Sequence, residues 1–133
     1  MKYEYNDGGR SKFDFKNKKS VGDCVVRSIA IATKTPYLIV WEDLFNLGKD
    51  IGFMPNDVRC YEVYLKSEYG LIKHKTPKIN GKKIRLVDWS HNLALVHTTN
   101  HLTCVINDCV YDTNDPREWC VNNYFARKDT QYS

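Results

Sequence analysis

Apolar residues recur at two different spacings along the chain, and the change falls near Gly70. Before it the spacing is helical. Val25, Val26, Ile29 and Ala30, with Thr33 beyond, fall on one helical stripe, and Ser20 or Asp23 supplies a side chain able to cap it. Thr35-Pro36 restarts a helix, with Thr35 as its expected cap and Pro36 in its first turn. Its apolar face is Ile39, Val40, Leu44, Phe45 and Leu47, and Gly48 or Gly52 ends it. Pro55-Asn56-Asp57 opens a third helix carrying Val58, Tyr61, Tyr64 and Leu65, closed by Gly70.

After Gly70 the period moves towards two. "GLIKHK", "LALVHTT", "HLTCVI", "CVYDT" and "NNYFA" read as strands, and "INGKKIRL" carries an Asn-Gly turn. Val87-Asp88-Trp89 reads as a short helix or an extended stretch. Helices followed by an antiparallel sheet give an α+β class. Residues 1–19 stand apart: Tyr3, Tyr5, Gly8-Gly9, Phe13 and Phe15 suggest a hairpin around a glycine turn, or an arm draped over the body. The main domain is expected over residues 20–133.

Composition narrows the class. The chain has 133 residues, 42% of them hydrophobic, enough for one moderate core. No apolar run approaches the roughly 20 residues of a membrane span. The first residues lack the apolar segment of a secretory signal, so a cytoplasmic protein without membrane contact is expected. Five cysteines in odd number, with no C-x-x-C, are expected to be reduced. Cys104 and Cys109 with His97 and His101 come nearest to a metal set, but the two cysteines lie within one hairpin, so neither metal nor cofactor is expected. The net charge of +4 is mild, and the basic stretches 16–20 and 73–83 read as solvated loops. Nothing resembles a base-reading module, so nucleic acid is not the expected partner.

The candidate chemistry starts in "GDCVVRSIAIAT". Cys24 falls at the start of the first helix, where unpaired N–H groups and the helix dipole favour a thiolate. In "NHLTCVINDCVYDTNDP", Asn107-Asp108 makes a two-residue turn that pairs Ile106 with Cys109 and puts Thr103 opposite Asp112. His101 and Asp112 then share one face as diagonal neighbours, where a carboxylate can hold an imidazole in one tautomer. A carboxylate-oriented histidine is what a cysteine nucleophile requires. His74, His91 and His97 have no such partner pattern. His97, on the preceding strand, is the rival to His101.

The order of these pieces resembles the papain-like cysteine hydrolases: a Cys at a helix start, then helices, then a His at a strand start, then an acid on the next strand. "GDCVVRSIAIAT", "NHLTCVI" and "VYDTND" resemble stretches of small bacteriophage-encoded proteins and, more distantly, of bacteriocin-processing cysteine peptidases. The resemblance runs from residue 20 to about residue 125. It implies a papain-like α+β fold, Cys24 as nucleophile, His101 as general base and acid, and Asp112 as orienter. Asp115 is the alternative third member, because it precedes Pro116 as the acid does in those peptidases.

Papain-like enzymes also place a side-chain amide shortly before the nucleophile. Asn17 is the amide in "KNKKSVGD", one residue off the usual position, with Asp23 as alternative support for the loop. An incomplete oxyanion hole costs roughly 3 kcal/mol of transition-state stabilisation. Arg27 is either an ordinary ion-paired residue or a cation supporting the thiolate or a substrate carboxylate. The implied activity is thiol-dependent hydrolysis of a protein or peptide substrate by a peptidase, isopeptidase or amidase. The alternatives are a deamidase or transglutaminase-like acyl transferase, and a papain-like scaffold that binds or inhibits a host factor. Oligomeric state is not legible.

Overall fold

The computed structural model describes residues 1–13, 15–16, 22–76 and 78–128. Ser20, and the expected boundary between residues 19 and 20, lie outside the described residues. Among them, three α-helices pack on a six-stranded, mostly antiparallel sheet, an α+β arrangement. Helix α1 (Cys24–Thr33), α2 (Tyr37–Ile51) and α3 (Val58–Tyr69) follow the three apolar stripes. The sheet comprises β1 (Lys2–Tyr5), β2 (Leu71–Lys75), β3 (Leu93–Thr98), β4 (His101–Ile106), β5 (Cys109–Asp112) and β6 (Asn123–Arg127). Its spatial order is β1-β5-β4-β3-β6-β2. The "VDW" stretch enters a short 3-10 turn over Leu86–Asp88.

Two caps differ from the expectation. Asp57 does cap α3, accepting from the Arg59 N–H, and Gly70 closes that helix in the left-handed region. Thr35 does not cap α2; its hydroxyl joins Thr33 and Tyr69 instead, and Pro36 holds the cap position. Asp23 holds the cap position of α1 without capping it, because its carboxylate is taken by other side chains. Gly52, the second of the two proposed stops, ends α2.

The "INGKKIRL" segment contributes the expected Asn-Gly turn, with Asn80 and Gly81 at positive φ and Ile79 bridged to Lys82. The β4–β5 hairpin has the expected register, with Ile106 opposite Cys109 around Asn107-Asp108. Both turn residues have positive φ, 48° and 62°, which Asn and Asp tolerate better than other side chains.

The first residues depart from the hairpin reading. Lys2–Tyr5 forms an edge strand parallel to β5, with Tyr5 in register with Asp112. The chain then crosses α1. A side chain on Gly8, at φ 68°, would come within 3.0 Å of the Arg27 backbone, so only glycine fits this crossing without strain. Phe13 and Phe15 stack onto Tyr37 and Trp41. The N-terminal segment is therefore joined to the sheet at one end and to α2 at the other.

The sheet is buried on both faces, which explains the continuous apolar run in β3. Leu95, Leu102, Cys104 and Phe125 face the helices, packed against Ile29, Leu44 and Leu65. Val96, Val105, Val110 and Ala126 face the other way, under Leu86 and Val121. His101 and Asp112 belong by strand alternation to this second face. They sit at the end of the sheet that the N-terminus of α1 reaches.

Candidate active site

The thiol, imidazole and carboxylate expected to act together come from α1, β4 and β5. Cys24 is the first residue of α1, so the N–H groups of that first turn have no helical carbonyl to bond. The Ser28 hydroxyl anchors this turn. It lies 2.7 Å from Leu102 O of β4 and 2.6 Å from Cys24 O one turn back, with one proton serving both. His101 opens β4 directly after Asn100, whose φ of 56° reverses the chain. Its Nε2 lies 2.6 Å from Asp112 Oδ2. The Cys24 thiol and the His101 ring are close enough to act on each other's charge, and with Nε2 taken by Asp112, Nδ1 is the ring nitrogen left for the sulfur.

The electrostatics follow from these contacts. Burial pushes the Cys24 thiol up, but hydrogen bonds from His101 and the Leu102 N–H, with the charges of His101 and Arg27, bring it below its ordinary value. Burial pushes His101 down, yet the bonds to Asp112 and Cys24 and their charges raise it to about 9. Burial is the largest influence on the Asp112 carboxyl and pushes it up, but the bond and charge of His101 together with the smaller hydrogen bonds around it, the Thr113 N–H among them, outweigh burial and lower it. The two shifts run in opposite senses, thiol down and imidazole up, and both favour a thiolate–imidazolium pair over the neutral pair, with an acid behind it whose ionised form is also favoured. Cys60 and Cys104 show the contrast: burial without such partners pushes both thiols up.

A second layer of charge holds Asp112. Arg27 is buried, 7% exposed, with Nη2 3.4 Å from Asp112 Oδ1 and Nη1 on Asp23. Asp23 also accepts from the Tyr37 hydroxyl at 2.5 Å and from Arg10 Nη1 at 3.2 Å. Burial and this bond raise the Tyr37 phenol, which stays neutral. Thr113 N–H donates to Asp112 Oδ1 at 2.7 Å, while Tyr3 Oη and Asn6 N–H donate to its backbone carbonyl at 3.1 and 3.0 Å. Arg10 and Arg27 thus offset the carboxylates of Asp23 and Asp112.

The other candidates fall elsewhere. Asp115 is held by Arg117, 2.8 Å from its Nη2, on the surface. Asp23 supports Arg27 and the loop before Cys24. Asn17 lies outside the described residues. Arg27 is ion-paired and also contributes to the thiolate. His97 lies on β3 opposite Leu102, and burial, with Lys73 and His101 nearby, pulls it below its ordinary value. Among the described residues no three His, Cys, Asp or Glu side chains gather into a metal-binding set.

Several contributors were not singled out from sequence. Ser28 and Tyr37 sit within amphipathic helices and look like ordinary helix residues there. Arg10, Tyr3 and Asn6 come from a segment with no motif. Trp119 stands edge-on to His101, ring centroids 5.5 Å apart at 87°, and walls its outer side.

Cys24 and His101 open into a polar cleft of about 610 Å³, whose walls include Arg10, Asn56, Asn100, Thr113 and Asn114. Gly22, Asp23 and Asn56 also line a smaller pocket of about 170 Å³, otherwise lined mainly by Val25, Val26, Trp41, Phe45 and Met54. Among the described residues no single helix is long and apolar enough to cross a membrane. No protein-family model, no curated protein and no solved structure matches the chain.

Proposed function

We propose that this chain is a thiol-dependent hydrolase of the papain-like plan, acting by acyl transfer on a peptide, isopeptide or glutamine amide. The observation that carries the reading is the meeting of Cys24, His101 and Asp112 at an open cleft, with the thiol lowered and the imidazole raised. Papain-like order along the chain supports it further.

The Cys24 thiolate attacks the amide carbon and a C–S bond forms while the carbonyl electrons move to oxygen. N–H groups of the first turn of α1 are the donors available to that oxyanion. His101, protonated on Nδ1, gives its proton to the amide nitrogen as the C–N bond breaks and the amine leaves. Water then attacks the thioester, losing a proton to His101, and Cys24 departs again as thiolate. Asp112 keeps Nε2–H bonded through both steps, so the ring presents Nδ1 throughout. Trp119 and the buried Asp112 keep bulk water from that side of the ring. Five free cysteines suit a reducing compartment, and we place the protein in the cytoplasm.

The test is acylation with p-nitrophenyl acetate. A burst of nitrophenol with an acetyl group on Cys24 by peptide mass spectrometry, absent in Cys24→Ala, is expected. An unmodified Cys24 with no burst would instead favour a scaffold that binds a partner.

A further inference from the structure

The cleft beside Cys24 is unevenly charged. Its wall holds two arginines, Arg10 and Arg27, and one carboxylate, Asp23. Arg27 is enclosed and occupied by Asp23 and Asp112. Asp23 is 1% exposed at its side chain and shared among Arg27, Tyr37 and Arg10, so it presents no anion to the cleft. Arg10 differs: its side chain is 27% exposed. Among the described residues its side chain makes one hydrogen bond, 3.2 Å from Nη1 to Asp23 Oδ1. A guanidinium carries five N–H donors in a flat fork, so most of its capacity remains on the cleft side.

The surrounding wall has matching chemistry. Asn100, Thr113 and Asn114 border the same cleft, and their side chains make no hydrogen bond among the described residues. Arg10 is positioned, not loose. It opens a 3-10 turn whose preceding loop is fixed by Asp7 accepting from the Gly9 and Ser11 N–H groups, at 2.9 and 3.0 Å. Gly8 presses that loop against α1.

Resting on the hydrolase reading, we infer that Arg10 is a specificity-determining residue that binds a carboxylate of the substrate, so the preferred acyl substrate is anionic near the attacked carbonyl. A terminal carboxylate or an acidic side chain supplies the same planar anion, and the fork accepts it through two parallel N–H···O bonds. The carboxamides and hydroxyl nearby bond the rest of a polar substrate.

Two alkylating probes of nearly equal size test this: iodoacetate, an anion, and iodoacetamide, which is neutral. The readout is the ratio of their rates at Cys24, by peptide mass mapping, divided by the same ratio for the neutral thiol N-acetylcysteine amide. Charge-assisted pairing in a partly exposed cleft is expected to favour iodoacetate about fivefold. Arg10→Gln should bring the ratio down to the share due to His101, and Arg10→Lys, which keeps charge without the fork, should fall between. An unchanged ratio in Arg10→Gln, or no anion preference in the wild type while iodoacetamide reacts rapidly, overturns the inference and leaves the hydrolase reading standing. A Cys24 slow towards both reagents overturns the hydrolase reading and this inference with it. Terminal and side-chain carboxylates are then separated by comparing the two p-nitrophenyl esters of N-acetylglutamate: the α-ester leaves the side-chain carboxylate free and the γ-ester leaves the terminal one free.

Discussion

Arg27 is the residue whose loss the site tolerates least. Its guanidinium lies between Asp23 and Asp112, both buried, and without it two carboxylates face each other in a low-dielectric interior. Arg27→Met should cost about 3–5 kcal/mol of stability, measured by urea unfolding at pH 7. A loss under 1 kcal/mol would mean that the carboxylates reach solvent. The two candidate acids separate just as clearly. Asp112→Asn removes the partner that holds and charges His101, so Cys24 alkylation at pH 6 should fall at least tenfold, one tenfold step being about 1.4 kcal/mol. Asp115→Asn breaks a surface pair with Arg117 and should leave that rate unchanged. The reverse pattern would move the acid to Asp115.

His101 also ties pH to stability. Its pKa in the folded chain is raised above the ordinary 6.5, to about 9 with the thiolate beside it. Its stabilising contribution is therefore fully present below pH 6.5 and lost as pH rises through the folded value. The Asp112 carboxyl is lowered below its ordinary 3.8, so its contribution is present above that value and lost in acid. Cys24, lowered in its turn, contributes with the opposite dependence to His101, so the comparison belongs in a Cys24→Ala background. There the stability gap between His101 and His101→Gln should shrink from pH 6 to pH 9.5 by on the order of 1–2 kcal/mol. A gap that does not change with pH would mean that the imidazole is not charged in the fold.

At the scale of elements, the site depends on how α1 is fastened. Ser28 links it to β4 from beneath and Gly8 lets the N-terminal loop close over it. Ser28→Ala removes the side-chain link between α1 and Leu102 O, and should cost about 1–2 kcal/mol while slowing Cys24 alkylation. Gly8→Ala places a side chain at positive φ against the Arg27 backbone, a strain of roughly 1–2 kcal/mol before any clash. Equilibrium unfolding of the two variants checks both values, and wild-type stability in either would detach that element from the site.

Most of these elements were legible from periodicity: the three helices, β2 to β6, and the β4–β5 register that aligns His101 with Asp112. Those signals are local, set by side-chain period and turn chemistry. The parallel pairing of β1 with β5 was not legible, because it joins Tyr5 to Asp112 with no shared turn and leaves a mostly exposed strand. Asp23 shows the other limit. Its place before α1 reads as a cap, but tertiary partners take both carboxylate oxygens, and local preference yields to them.

Across the whole molecule, three distant segments build one small site, and the charge around it closes on itself. The acid that orients the imidazole is held by Arg27, which is held by Asp23, which meets Arg10 and Tyr37. The sequence order of Cys24, His101 and Asp112 was enough to nominate the three. It could not show that residues 2–10 complete their surroundings, since that depends on a chain path rather than on a motif. The measurement to make first is the pH dependence of iodoacetamide alkylation at each of the five cysteines, in the wild type and in His101→Ala. With a thiolate–imidazolium pair, Cys24 reacts faster at pH 6 than the exposed Cys120 and loses that lead in the variant. A Cys24 that is no faster than Cys120 at pH 6, or that keeps its lead without His101, contradicts the pair and the hydrolase reading built on it.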